Sequence, residues 1–352
     1  MSYIAKPVAH HPALKRNELG LTHRDYEGSM STLCAGCGHD SITASIIEAC
    51  FELDLPAHRI AKVSGIGCSS KAPTYFLGRS HGFNSVHGRM PSVTTGAAMA
   101  NRDLVYIGVS GDGDTASIGL GQFCHAVRRE LNMTYIVMNN GCYGLTKGQF
   151  SATSDKGSPS KKGEANPFAG IDLCQMAIQL GAGFVARSFS GDKNQLVPLI
   201  KAAIAYKGFA FLDVISPCVT FNNHDASTKS YTYVRAHNEA VGNPLDFVES
   251  KEEITADYAE GTSAVIDMHD GSKLMLYKID GGHDATDADE AISLIRSRAK
   301  TGQIATGLLY VNKDQNELHD VLATDPRPLN SIPQAELVPG AKALEAINAR
   351  LR

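Results

Sequence analysis

Two sets of residues in this sequence could do chemistry. The first is Gly111-Asp112-Gly113-Asp114, followed by Asn139-Asn140. An apolar run at 104–110 (LVYIGVS) ends at Ser110. Glycines placed there can turn tightly and bare backbone N–H groups at a helix N-terminus, which makes a cradle for a diphosphate. Asp112 offers a carboxylate and Asn140 an amide oxygen, both ligands for a hard cation. Mg²⁺ takes a few protein oxygens and fills its shell with phosphate oxygens and water. The backbone carbonyl of Cys142 is placed to be a third ligand. The second set is thiols. Cys34 and Cys37 form C-x-x-C, and Cys68 and Cys218 each follow a strand pattern in a loop signal. A lone C-x-x-C reads as zinc or as a redox pair. Zinc favours a compact second pair, whereas here the other two cysteines are single and distant. Four thiolates converging at strand ends suit a 4Fe–4S cluster.

The elements needed to position these groups are legible. Apolar strands at 59–63, 104–110, 133–138 and 210–215 alternate with helical patterns at 41–53, 115–130, 173–180 and 195–206. Continuous apolar strands are buried on both faces, and strands separated by helices make a doubly wound parallel sheet of α/β class. Ligands of such sheets bind at the carboxyl ends of the strands, where Asp112 and Asn140 fall. Residues 1–30 read as an arm, 31–224 as the α/β domain and 225–352 as a C-terminal extension packed on it. In the extension, strands at 264–268 and 273–279 flank Asp270-Gly271, a hairpin signal. A helix at 287–301 and a strand at 304–311 follow. Cys50, Cys124 and Cys174 lie among apolar neighbours and read as core thiols.

The 352 residues are 43% hydrophobic and 20% charged, which excludes wholesale disorder and a coiled coil. No apolar run is long enough to span a bilayer, and the first residues lack an apolar signal core, so a cytoplasmic protein is expected. A net charge of −4 with scattered Lys and Arg argues against nucleic acid as the main partner.

The GDG…NN pattern resembles that of thiamine-diphosphate enzymes. The runs CAGCGHD (34–40), IGCSSK (66–71), HGR (87–89), GDGDTASIGLGQFCHAVRRE (111–130) and NNGCYGLTKGQFSAT (139–153) are similar to the β subunit of 2-oxoacid:ferredoxin oxidoreductases. The resemblance covers roughly residues 30–235. The run HDASTKSYTYVRAHN (224–238) resembles the 2-oxoglutarate members. Ala35 and Ala152 stand where the family commonly has proline, and neither change removes a ligand.

The resemblance implies thiamine diphosphate, Mg²⁺ and one 4Fe–4S cluster. Asp112, Asn140 and the Cys142 carbonyl would hold Mg²⁺. Gly113, Asp114, Gly144 and Leu145 would line the diphosphate and thiazolium, with Ile66, Gly67, Cys68, Ser69 and His87 touching the cofactor from the other side. Cys34, Cys37, Cys68 and Cys218 would hold the cluster. Lys71 and Lys147 would bind the substrate carboxylate or coenzyme A. His39 is a candidate cofactor contact, though a helix-start histidine reads rather as structural, and the Cys142 thiol reads as incidental. The glutamate that activates the cofactor belongs to the partner subunit in this family and is assigned to no residue here. The implied reaction is oxidative decarboxylation of 2-oxoglutarate to succinyl-CoA and CO₂, with electrons passing through the cluster to ferredoxin, in an (αβ)₂ assembly; the reverse carboxylation is the same chemistry. The alternatives are pyruvate or another 2-oxoacid, a non-redox carboligase with structural zinc, and a non-catalytic assembly subunit.

Overall fold

The computed structural model describes residues 13–34, 36–146, 148–158, 165–218, 253–267, 273–314 and 316–351. Its centre is a nine-stranded sheet. The strands are β1 (Ile60–Ser64), β2 (His81–Asn84), β3 (Val105–Gly111), β4 (Met133–Asn139), β7 (Phe184–Phe189), β8 (Phe209–Ile215), β9 (Ser263–Asp267), β10 (Lys273–Lys278) and β11 (Ile304–Val311). The short β5 (Cys142–Tyr143) and β6 (Gln149–Phe150) form a separate antiparallel pair. The order is β2-β1-β3-β4-β8-β7-β11-β10-β9, parallel from β2 to β7.

Helices cover both faces, as a parallel sheet requires. On one face α1 (Gly38–Glu52) and α5 (Lys193–Ala205) bury Ile42, Ile46, Phe51, Leu196 and Ile200 against Ile107, Ile136 and Leu212. On the other, α2 (Met90–Ala100), α3 (Leu120–Arg128), α4 (Leu173–Gln179) and α6 (Ala288–Lys300) close over a second apolar layer. Phe123 anchors that layer, edge-on to Tyr135, Phe209 and Phe211 at centroid distances of 5.1–6.0 Å. Each such aromatic pair adds about 0.5–1.5 kcal/mol beyond area burial.

Among the elements not expected from the sequence are α2 and β7. The α2 segment MPSVTTGAAMA carries proline, a run of β-branched residues and glycine, all poor helix formers. It is helical because Met90 and Ala98 are buried, and because Thr94 and Thr95 turn their hydroxyls back onto the carbonyls of Met90 and Pro91 at 2.8 and 2.7 Å. The strand β7 is fully buried yet contains Arg187 and Ser188, which break its apolar run. Both polar side chains are hydrogen-bonded inside.

One expected helix changes form. The helix foreseen over 115–130 begins at Gly113 and is wound as a π-helix to Ile118 before α3 continues it. The Gly119 N–H reaches the Asp114 carbonyl at 2.8 Å, an i to i+5 bond. Such wide turns recur at functional sites.

The strands of the C-terminal segment continue the sheet. β11 pairs antiparallel with β7, β10 pairs parallel with β11, and β9 pairs antiparallel with β10. The tip of the expected hairpin, Asp270-Gly271, lies outside the described residues. Buried Lys278 ties this segment to the rest: its Nζ stands 2.5 Å from Asp192 Oδ2 and 4.4 Å from the centre of the Tyr258 ring. Asp192 in turn caps α5 by accepting the Gln195 N–H.

Candidate functional site

Strand order alone assembles the site. β1, β3, β4 and β8 are neighbours, so the loops after Ser64, Gly111, Asn139 and Ile215 emerge side by side. Those loops carry Ile66-Gly67-Cys68-Ser69, Asp112-Gly113-Asp114, Asn140 to Thr146, and Cys218. The first three line one cleft, together with His87 and His39. The N-terminus of α1 reaches the same end of the sheet. There His39 Nδ1 lies 2.5 Å from Ser216 Oγ, just beyond β8.

The hard-ligand side is dense with hydrogen bonds. Asp112 is 1% exposed, and a carboxylate so deeply buried is stable only when well solvated by donors. The Ser151 hydroxyl donates to its Oδ2, and so does the Thr153 hydroxyl at 2.7 Å. The Asn140 N–H approaches Oδ1 at 3.3 Å. The Asn140 side-chain oxygen accepts the Cys142 N–H at 3.2 Å. Asp114 is held separately, by the Ser110 hydroxyl at 2.9 Å and the Gly88 N–H at 2.8 Å. That second bond fixes the loop carrying His87. Gly65 makes room for Asp114, since a Cβ there would stand 1.8 Å from its Oδ2. Gly113 must likewise be bare: a Cβ would stand 2.6 Å from the Tyr143 ring, whose hydroxyl donates to the Gly113 carbonyl at 3.0 Å. The floor is therefore glycine backbone flanked by carboxylate and amide oxygens. This donor set suits a hard cation bound together with a diphosphate.

The thiol side is built differently. A Cβ on Gly144 would lie 3.5 Å from Cys68 Sγ and 3.9 Å from Cys218 Sγ, so these two thiols flank the same glycine of the cofactor loop. Cys37 and Cys34 stand near enough to interact electrostatically with Cys68 and Cys218. The Cys37 N–H donates to the Cys34 carbonyl at 3.0 Å, closing the C-x-x-C turn. Burial first, then the neighbouring Cys218, pushes the Cys37 thiol well up and the Cys68 thiol to about 11. Lys71 pulls weakly the other way on Cys68. A metal taken here must displace those protons. No disulfide forms among the described cysteines. Among the described residues, no three His, Cys, Asp or Glu side chains are grouped to share one metal ion.

The expected residues meet unevenly. Ile66, Gly67, Cys68, Ser69, His87, Asp112, Gly113, Asp114, Asn140, Cys142, Gly144 and Leu145 all line the cleft. Lys71 does not line it and is exposed, one turn after Cys68. Lys147, Ala35 and the run 224–238 lie outside the described residues. His39, read as structural, does line the cleft; burial lowers its pKa to about 4, so it is a neutral imidazole there. The neighbouring Cys218 thiol, then burial, pushes the Cys142 thiol well up. Cys50 and Cys174 are core thiols, and Cys124 is half-buried against the core. Ser151 and Thr153 were in the quoted run without a role. The one signal for them was a pair of hydroxyls shortly after a loop that buries a carboxylate.

Comparison with known proteins agrees with this layout. Residues 65–214 match the family described as thiamine pyrophosphate enzyme, C-terminal TPP binding domain. The chain is 38% identical over 220 residues to the 2-oxoglutarate oxidoreductase subunit KorB of Mycobacterium tuberculosis, covering 61% of this chain and 58% of that protein. It is 42% identical over 199 residues to the 2-oxoacid:ferredoxin oxidoreductase subunit beta of Saccharolobus solfataricus, covering 56% and 65%. It is 39% identical over 216 residues to the 2-oxoglutarate synthase subunit KorB of Methanocaldococcus jannaschii, covering 60% and 75%. The first two of these matches thus each span under two thirds of the relative's length. A solved 2-oxoglutarate:ferredoxin oxidoreductase from Magnetococcus marinus, with 2-oxoglutarate, coenzyme A and succinyl-CoA bound, superposes with a TM-score of 0.68 at 29% identity, over 93% of this chain and 97% of that one. No described helix is long and apolar enough to cross a membrane. On these similarities, and on the sheet and loops that carry them, the chain belongs to the β-subunit family of the 2-oxoacid:ferredoxin oxidoreductases.

Proposed function

We propose that this chain is the cofactor-bearing β subunit of a CoA-acylating 2-oxoacid:ferredoxin oxidoreductase. Its substrate is 2-oxoglutarate, which with coenzyme A gives succinyl-CoA and CO₂ while ferredoxin takes up the electrons. The observation that carries this is the sharing of one cleft: the thiol turn at Cys68 and the loops with Asp112 and Asn140 line the same space. Thiamine diphosphate, when bound, supplies the nucleophile and electron sink for decarboxylation, and a 4Fe–4S cluster supplies the relay to ferredoxin.

The chain's own residues do the rest. Asp112, Asn140 and the Cys142 carbonyl hold Mg²⁺, and Gly113 and Asp114 seat the diphosphate on bare backbone. Ile66, Gly67, Ser69, His87, Gly144 and Leu145 wall the thiazolium, and Cys34, Cys37, Cys68 and Cys218 hold the cluster beside it. Lys71 and Lys147 meet the substrate or coenzyme A. Neutral His39 adds no positive charge to the cofactor wall. The partner α subunit brings the activating glutamate in an (αβ)₂ enzyme that works in the cytoplasm. The 2-oxoglutarate assignment is supported by the two KorB relatives and by the ligands of the Magnetococcus structure. A second reading, a broader 2-oxoacid substrate, is favoured by the Saccharolobus relative.

The test uses the chain purified anaerobically with its partner. Thiamine diphosphate and iron are measured in the complex, then 2-oxoglutarate-dependent, CoA-dependent reduction of ferredoxin. Activity with 2-oxoglutarate supports the assignment. Activity with pyruvate alone moves the substrate, and zinc in place of iron overturns the redox reading.

A further inference from the structure

One oxygen of Asp112 is tied down by a hydrogen-bonded chain that runs across the sheet. Oδ2 receives the Ser151 hydroxyl and, at 2.7 Å, the Thr153 hydroxyl. The same Thr153 hydroxyl proton is shared with Asn139 Oδ1, an acceptor at 3.0 Å. The Asn139 Nδ2 donates to Asp213 Oδ1 at 2.9 Å, which settles the direction of that amide, since a flipped amide would face oxygen to carboxylate. Arg187 Nε donates to Asp213 Oδ2 at 2.9 Å, and its Nη2 to Asp172 Oδ1 at 2.8 Å. Asp172 caps α4 through the Gln175 N–H. Thr153, Asn139, Asp213 and Arg187 are all buried. The first asparagine of the NN pair is therefore no cation ligand but the link between Thr153 and the sheet.

We propose that Thr153 is a positioning residue that sets the metal preference of the cofactor site. The proposal rests on the Mg²⁺ and thiamine-diphosphate reading above. Oδ2 is held by the Ser151 hydroxyl and by the one Thr153 hydroxyl proton, which is shared with Asn139 Oδ1, while Oδ1 is approached by the Asn140 N–H at 3.3 Å; the carboxylate is thus oriented to offer a cation one oxygen rather than both. Mg²⁺ is small, demands octahedral geometry and binds through few carboxylate contacts; Ca²⁺ accepts carboxylates in the bidentate mode. A carboxylate locked to a single oxygen thus selects the smaller ion. Removing the Thr153 hydroxyl loosens the carboxylate, so it costs Mg²⁺ more than Ca²⁺. Residues standing behind a metal ligand typically contribute about 10–100-fold to metal affinity.

The test measures thiamine-diphosphate binding to the metal-stripped complex of this chain and its partner, supported by Mg²⁺ or by Ca²⁺, with the melting temperature of the cofactor-free complex alongside. Thr153→Val is expected to weaken Mg²⁺-supported binding by about 10-fold, to weaken Ca²⁺-supported binding less, and so to lower the Mg²⁺/Ca²⁺ ratio. Thr153→Ser should restore both. Ser151→Ala, which removes the other hydroxyl from Oδ2, should shift the ratio in the same direction and gives the answer if Thr153→Val does not fold. An unchanged ratio in both Thr153→Val and Ser151→Ala overturns the proposal, whether or not stability falls. Asp112→Ala separates the two claims: loss of binding with both ions upholds the site on which the proposal stands, whereas unaltered binding removes the metal reading itself.

Discussion

The two halves of the cleft are made on different principles. On the diphosphate side every buried polar group answers another: Asp112, Asp114, Asn139 and Asp213 each accept or donate bonds from fixed neighbours. On the thiol side Cys34 is exposed and Cys37 and Cys68 are half-buried, and burial first, then the neighbouring Cys218, pushes the Cys37 and Cys68 thiols up. Oxygen ligands for a hard, demanding cation need positioning before it arrives. Thiols for an iron–sulfur cluster are organised by the bonds the cluster itself makes, so protein hydrogen bonds can be sparse. On the proposed reading, the first half is preorganised and the second is completed by the cluster.

Substitutions can break this contrast, the largest effect first. Cys218→Ala should remove the iron while leaving thiamine diphosphate in place, as measured by metal and cofactor analysis of the complex. Iron at the wild-type level would end the cluster assignment. Arg187→Met leaves Asp213 buried without its cation and should lower unfolding stability by about 3–5 kcal/mol, read by denaturant titration, with loosened cofactor as a consequence. Asp112→Ala should weaken thiamine-diphosphate binding by at least about 100-fold, or about 2.7 kcal/mol, with iron content unchanged. Gly65→Ala drives a methyl group into Asp114 and should cost about 1–3 kcal/mol, with a smaller loss of cofactor affinity. Taken together, Cys218→Ala and Asp112→Ala should each lose one cofactor and keep the other. Joint loss in either variant would show that the two halves are one unit.

Much of the parallel sheet was legible because buried parallel strands are continuous apolar runs, as in 104–110 and 133–138. β7 was not, because Arg187 and Ser188 interrupt its run for the sake of a network visible only in three dimensions. α2 was hidden by proline and β-branched residues that tertiary packing overrides. The lining of the cleft was legible through GDGD and NN, since glycines mark the turns and the carboxylate and amide mark oxygen donors by residue type. Thr153 was not, because a hydroxyl gains its role from the carboxylate folded against it. The nearness of the Cys142 thiol to Cys218 was hidden in the same way, since the two are far apart in sequence.

The central claim is that a thiamine cradle and an iron–sulfur site face each other across one cleft. The most direct test is low-temperature EPR on the anaerobic complex mixed with 2-oxoglutarate in the absence of coenzyme A. The expected result is a reduced-cluster signal in the wild type. Asp112→Ala should show that signal only on chemical reduction, and Cys218→Ala under neither condition. A wild-type complex that contains thiamine diphosphate and both subunits, yet gives no cluster signal with substrate or chemical reductant, would contradict it.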